Sequence, residues 1–196
     1  KRGASMKEQP TLTTERLILR PYSLSDAKEL QRLIGDRNVS DTLQLVPYPY
    51  LDGMAEEWIN HQTIEQSDVK NTHYSKDIHF AITNRQYGFL MGTFSIMNIS
   101  KVTDKAELGY WLGKPYWGKG YCTEAAKTAV KFCFEELRLN RVFATHMTRN
   151  TRSGRVMEKI GMKHEGHMRQ YGKKWDKYED GEMWAILRSD YNNQLA

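Results

Sequence analysis

The chain has 196 residues, a formal net charge of +5, 39% hydrophobic and 27% charged residues, which suits one folded domain and excludes the disordered and fibrous classes. No apolar run approaches the roughly 20 residues of a membrane helix, and no signal-peptide core opens the chain. Lys1 to Ser5, ahead of Met6, read as a cloning remnant, leaving 6–196 as a single domain; without Lys1 and Arg2 the balance drops to +3, too mild to argue for a nucleic-acid partner.

Arg16–Arg20 (RLILR) predicts a first strand, stopped by Pro21. Ser23-Leu24-Ser25-Asp26 is a capping-box signature for a helix with Leu30, Leu33 and Ile34 on its apolar face, ended at Gly35-Asp36. Residues 42–50 are apolar but irregular, and Pro47 and Pro49 force an extended path. Asp52 is placed to cap a second helix whose Ala55, Trp58 and Ile59 share a face, Trp58 serving either core packing or contact with a substrate. Gln66–Lys76 reads as a polar loop. Ile78, Phe80 and Ile82 alternate as a strand with one buried face, and Phe89–Ile96 returns antiparallel, Gly88 and Gly92 marking a bend or bulge.

The densest information lies in Glu107–Glu124, ELGYWLGKPYWGKGYCTE. Ala106–Leu112 is a short apolar run that predicts a buried strand, broken at Lys114-Pro115. Gly118-Lys119-Gly120 makes a tight loop, and an amphipathic helix begins near Tyr121. Main-chain N–H groups at a glycine loop and a helix start converge on one spot, with the helix dipole behind them, which is an anion cradle. Neither GxxxxGK[ST] nor GxGxxG is present, and a lone GxG is equally an ordinary strand-to-helix turn.

Cys122, Ala125, Ala126, Ala129, Val130, Cys133, Phe134 and Leu137 keep helical spacing over about four turns. Arg141–His146 is the next strand, parallel to the Ala106–Leu112 strand across the helix. Asn150 opens another helix, with Val156, Met157 and Ile160 inward and Gly161 as its stop. His164–Gln170 and Glu182–Leu187 close as two strands around a polar hairpin, Lys173–Gly181. Cys122 and Cys133 lie eleven residues apart on one helix, roughly 16 Å, so both are expected as free thiols in a reducing, cytoplasmic setting. Cys122 at a helix start is a nucleophile candidate or a small residue packed behind the loop; no base pattern accompanies it. The six histidines have no metal-ligand spacing, and no metal is expected.

The string ELGYWL with PYWGKGYCTEA, followed by NTRS-x-RVMEKIGM-x-x-EG from Asn150, resembles the acetyl-CoA-binding motif of the GNAT superfamily of N-acetyltransferases, and is most similar to its RimJ/RimL ribosomal-protein branch. Pro115 stands where the superfamily's loop usually has Gln or Arg. The resemblance implies an α/β (α+β) fold: a mixed, mostly antiparallel sheet of about six to seven strands, about four helices, one parallel βαβ crossover and a splayed cofactor cleft. It implies acetyl-CoA as co-substrate, its diphosphate held by the backbone of Trp117, Gly118, Lys119, Gly120, Tyr121, Cys122 and Thr123, its pantetheine by the backbone near Leu112, with the Asn150 amide in contact. The lysines and arginines from Arg149 to Lys163 either serve the 3′-phosphate or form a solvated face.

By the same resemblance Glu107 is the candidate general base, or else a structural partner of a neighbouring strand. Ser153 is the candidate proton donor to the CoA sulfur, or else a hydroxyl satisfying a helix start. Asn150 doubles as helix cap. Tyr48, Trp111 and Tyr116 are candidates for contact with the acceptor. That acceptor is a primary amine, either a protein N-terminus, including that of a ribosomal protein, or a small molecule, bound by a monomer or homodimer with no membrane involvement. The rival reading is a non-catalytic CoA sensor or nucleic-acid-associated binder of the same fold.

Overall fold

A computed structural model describes residues 9–64 and 77–195; the polar segment expected at Gln66–Lys76 lies outside them. Eight strands form one sheet among these residues: β1 Leu12–Thr13, β2 Leu17–Arg20, β3 Ile78–Asn84, β4 Leu90–Ser100, β5 Lys105–Leu112, β6 Arg141–Met147, β7 Lys163–Lys174 and β8 Lys177–Leu187. Their order across the sheet is β1-β2-β3-β4-β5-β6-β8-β7, antiparallel throughout except for the parallel pair β5–β6. The helices are α1 Ala27–Ile34, α2 Arg37–Ser40, α3 Met54–Ile64, α4 Tyr121–Glu135, α5 Thr151–Lys159 and α6 Arg188–Leu195. The extra strand and helices beyond the expected count are short or terminal: β1 has two residues and α2 four.

Both faces of the sheet are covered at its centre, so β3 and β4 are buried more fully than simple alternation suggests. On one face α4 sets Ala125, Ala126, Ala129 and Cys133 against Phe80, Phe94, Leu108 and Val142. On the other, Leu30, Leu33, Ala55 and Ile59 of α1 and α3 meet Ala81 and Leu90. Ala81 and Thr83, outside the Ile78-Phe80-Ile82 face, are therefore buried too. Small residues on α4 let the helix lie close to the sheet.

Local signals explain the boundaries. Ser23 and Asp26 close a reciprocal capping box, while Arg20 grips both Asp26 oxygens at 2.8 Å. Gly161, at φ +85°, ends α5 with Met162 N–H donating to the Met157 carbonyl. At Gly92 a Cβ would stand 2.1 Å from the Trp111 carbonyl oxygen, beside the register shift at Ile82/Thr83, so the bulge needs glycine. One expectation is corrected. The β7–β8 ladder runs to Lys174↔Lys177, and the turn is only Trp175-Asp176, both at positive φ (46° and 64°). That is the two-residue geometry of a twisted hairpin, in which Asn-Gly is the usual signal.

Candidate active site

β5 and β6 pair only from Lys105↔Arg141 to Leu108↔Ala144; beyond that they part. Between them opens a cleft of about 1210 Å³, walled by the ends of both strands and the starts of α4 and α5. On its other edge β5 stays zipped to β4 as far as Gly92↔Leu112. Gly113 N–H donates to the Met91 carbonyl (2.9 Å), making Gly92/Leu112 a non-hydrogen-bonded pair. By the alternation of an antiparallel ladder, Leu108, Tyr110 and Leu112 turn their main-chain groups away from β4. Leu108 still meets β6. The N–H and C=O of Tyr110 and the N–H of Leu112 face the gap, whereas the Leu112 carbonyl accepts the Trp117 indole N–H at 2.6 Å.

At the mouth of the gap the chain makes a turn through Lys114–Tyr116 and enters the glycine loop. Gly118 and Gly120 sit at φ +74° and +81°, a conformation that orients successive N–H groups to one side. Trp117 does not join them: its N–H donates back to the Lys114 carbonyl at 3.2 Å, which corrects the expected span. The first bond into α4 is Glu124 N–H to the Gly120 carbonyl, 3.0 Å, and Gly120 offers no side-chain cap. Among the described residues no acceptor takes the N–H groups of residues 118–123.

Behind the loop stands a clamp that the sequence did not disclose. Glu124 accepts from the Thr14 hydroxyl (2.6 Å), the Arg16 N–H (2.8 Å) and the Arg16 guanidinium (2.7 Å). Arg16 also donates to the Lys119 carbonyl (3.1 Å) and lies 4.5 Å over the Tyr121 ring. Burial alone would raise the Glu124 carboxyl; the hydrogen bonds from Thr14 and Arg16 outweigh it and hold the group below the usual carboxylate range. The Lys119 carbonyl is thus pulled backward, and the Lys119 side chain is not on the cleft wall.

Glu107, Ser153 and Asn150 all reach the cleft, as do Leu112, Tyr121, Cys122 and Thr123. Asn98 donates its amide to Glu107 Oε2 (2.9 Å), and Thr145 Oγ1 lies 3.4 Å from Oε1. Asn98 reaches it from a left-handed backbone position, φ +51°, in the irregular stretch between Met97 and Ser100. Ser153 donates to the Tyr110 hydroxyl at 3.0 Å, and Tyr110 donates to the Ser153 carbonyl at 3.1 Å. Asn150 occupies the cap position but makes no side-chain cap bond; its main chain is engaged instead, the N–H donating to the Met147 carbonyl at 2.7 Å and the carbonyl accepting from Ser153 N–H at 3.0 Å.

Two other groups on the wall are committed elsewhere. His146 Nδ1 lies 2.9 Å from the Met147 carbonyl and Nε2 accepts the Trp184 indole N–H at 3.1 Å. With the indole N–H donating to Nε2, the ring's own N–H sits at Nδ1 and donates to that carbonyl, so both ring nitrogens are engaged by protein partners. Burial pushes the Cys122 thiol up to about 12, so the cysteine is no thiolate nucleophile.

The far wall is the 41–46 segment tied to the β7–β8 hairpin. Arg149 bonds Asp41 (2.6 Å) and Glu179 (2.9 Å). Lys174, 3% exposed, sends its ammonium to the carbonyls of Leu43 and Val46, both 2.6 Å. Of the cations read as a basic face, Arg149 is thereby committed and Lys163 pairs with Asp190, while Arg152, Arg155 and Lys159 line the cleft. Trp111 and Tyr116 stand on the wall. Tyr48 does not: it packs on Trp175 with Arg37 over both rings. Trp58 sits edge-on to Tyr22 and His79, partly buried against the core.

A family model described as an acetyltransferase (GNAT) domain matches residues 16–163. The "Probable N-acetyltransferase YjcK" of Bacillus subtilis (strain 168) is 31% identical over 179 residues, 89% of this chain and 95% of that one. The [ribosomal protein uS5]-alanine N-acetyltransferase of Escherichia coli (strain K12) is 29% identical over 84 residues, 43% of each chain. In structure, the spermidine N-acetyltransferase from Vibrio cholerae in complex with CoA and spermine superposes with a TM-score of 0.75 at 22% identity, covering 90% of this chain and 98% of that one.

Proposed function

The chain belongs to the GNAT acetyltransferase family, in its RimJ/RimL-like branch, and from that premise we propose that it acetylates a primary amine by direct transfer within a ternary complex. It is an N-acetyltransferase with acetyl-CoA as co-substrate. The observation that carries the reading is the run of six amides, residues 118–123, without acceptors among the described residues, beside a sheet split after Leu108↔Ala144. A diphosphate suits the first and an extended pantetheine arm suits the second.

Acetyl-CoA supplies the activated acetyl thioester; everything else is the work of this chain. Amides of residues 118–123 and the α4 dipole hold the diphosphate. Arg152, Arg155 and Lys159 add positive charge along α5. The main-chain groups of Tyr110 and the N–H of Leu112 orient the arm and offer a donor for the carbonyl oxygen. Glu107 takes the amine proton, directly or through a water, and Ser153 gives a hydrogen bond to the departing sulfur. An α-amine, with a pKa near 8, asks less of Glu107 than a lysine-like amine near 10.4. The acceptor is a protein N-terminal α-amine or a small-molecule amine, met at the wall built by 41–46, Trp111 and Tyr116. Two free thiols, Cys122 and Cys133, suit a cytoplasmic workplace.

Two measurements test this. CoA at 100 times its Kd should stabilise the fold by about 2.7 kcal/mol in thermal unfolding. Thiol release over a panel of peptide N-termini and small amines should then show turnover with one class. Stabilisation without turnover on any amine would favour the CoA-sensor reading, and no stabilisation would remove both. The clamp gives a sharper check. Removing Glu124 as alanine loses three hydrogen bonds, of which those from Arg16 are worth about 1.5–3 kcal/mol when charged, against a small screened relief of repulsion with the diphosphate. Restraint of the loop outweighs the repulsion, so Kd for CoA should rise about tenfold with kcat at saturating acetyl-CoA unchanged. Tighter binding would show that charge, not loop restraint, dominates.

A further inference from the structure

The hydroxyl pair at the heart of the cleft has a consequence for Ser153. Its proton is directed at the Tyr110 oxygen (3.0 Å), while the Tyr110 proton is directed at the Ser153 carbonyl (3.1 Å). Tyr110 is held firmly: its ring stacks on Phe94 at 5.7 Å and 20°, and it packs with the core built on α4. Burial raises its phenol, so it keeps its proton. A serine at the third position of a helix ordinarily turns its hydroxyl to local main chain or solvent. Here a rigid phenol fixes it on the cleft side.

The geometry points to Tyr110 as a positioning residue that holds and re-supplies the Ser153 hydroxyl, a role that rests on the acetyltransferase reading above. Both oxygens are donors and acceptors, and the pair has two arrangements at nearly the same spacing. In the one observed, Ser153 donates to Tyr110. In the other, Tyr110 swings its proton from the Ser153 carbonyl to Ser153 Oγ, which leaves the serine proton free to point at the departing sulfur. No proton changes oxygen; only the hydrogen-bond direction reverses. The carbonyl released by this swing belongs to the first turn of α5 and lies within helical reach of a main-chain donor one turn on. Neither arrangement strands a buried donor, so the exchange is cheap.

The test is a double-mutant cycle of Y110F and S153A, which preserves the ring stack while deleting each hydroxyl. Y110F should lower kcat about tenfold, the worth of one hydrogen bond made in the transition state, with KM for acetyl-CoA within about twofold of wild type. S153A should lose a similar amount, and the double variant should be no slower than S153A. An equilibrium readout goes with it: wild type should bind CoA more tightly than desulfo-CoA, and both variants should lose that preference. Additive losses, or wild-type kcat and wild-type preference in Y110F beside a slow S153A, would overturn the role of Tyr110 while leaving Ser153 as donor. A fully active S153A would remove the donor and Tyr110's role together, with CoA-linked stabilisation still reporting that the acetyltransferase reading stands. If Y110F melts early, 3-fluorotyrosine at 110 keeps size and stacking while changing phenol donor strength. An altered kcat there supports the relay, and an unaltered one refutes it.

Discussion

Replacing Glu107 with glutamine should cut turnover by about 10²- to 10⁴-fold, the range that general-base catalysis supplies, with CoA affinity within about twofold of wild type. The reason lies in how the carboxylate is held. Asn98 donates to one oxygen and Thr145 approaches the other. Glutamine can keep both contacts, its carbonyl oxygen facing Asn98 and its amide donating to the Thr145 hydroxyl, because a hydroxyl is both donor and acceptor. Size and hydrogen bonds survive; basicity does not. Moreover, Glu107 lies where β5 is still paired with both neighbours, at Met97 and Phe143, before the gap that would hold the pantetheine arm. The deficit should depend on the amine. With an α-amine, whose pKa is near 8, raising the pH above that value supplies free base and should narrow the gap. With a lysine-like amine it should persist to higher pH. Steady-state rates with each acceptor from pH 6 to 9.5, beside CoA titration, check this. An unchanged rate at pH 7 would return Glu107 to a purely structural role.

Those features of the site that are local in the chain were legible in the sequence. The strand into glycine loop into helix at 106–135 carries its own markers: the break at Pro115, the glycines at 118 and 120, and small residues at helical spacing. The parallel neighbour followed from crossover length alone. What periodicity misses is contact between distant segments. Arg16 and Glu124 are 108 residues apart, and nothing near Arg16 advertises that it braces the Lys119 carbonyl. Tyr110 read only as one more aromatic of a buried strand, because its partner Ser153 is 43 positions away. Spacing groups the Trp117 amide with the cradle, because it does not reveal a turn closing back on Lys114. The place of Tyr48 between two helices suggests the acceptor site, whereas cation–π and ring contacts with Arg37 and Trp175 hold it elsewhere. The tight turn at Trp175-Asp176 lacks the Asn-Gly signal, so the sequence suggests a longer hairpin connection than the chain makes.

The cradle itself can be taken apart without touching any side chain that meets the ligand. Gly118 and Gly120 hold φ +74° and +81°, where an L-residue costs roughly 1–2 kcal/mol. A Cβ on Gly118 would meet nothing within 4 Å, and one on Gly120 only Arg16 Nη2 at 3.5 Å, an ordinary contact. Alanine at either position therefore acts through backbone conformation alone. The loop escapes the strain by turning toward negative φ, which swings the amides of residues 118–123 off their common focus. The double variant G118A/G120A should bind CoA about 30- to 1000-fold more weakly, the equivalent of roughly 2–4 kcal/mol, measured by calorimetric titration. Pantetheine, which lacks the diphosphate and would rest only in the gap between β5 and β6, should bind wild type and variant alike. If CoA binds the variant as tightly as wild type, the main-chain amides are not the anchor. Arg152, Arg155 and Lys159 of α5 would then be the groups to replace next. If pantetheine weakens in parallel with CoA, the substitutions have disturbed the split itself rather than the anion site at its mouth.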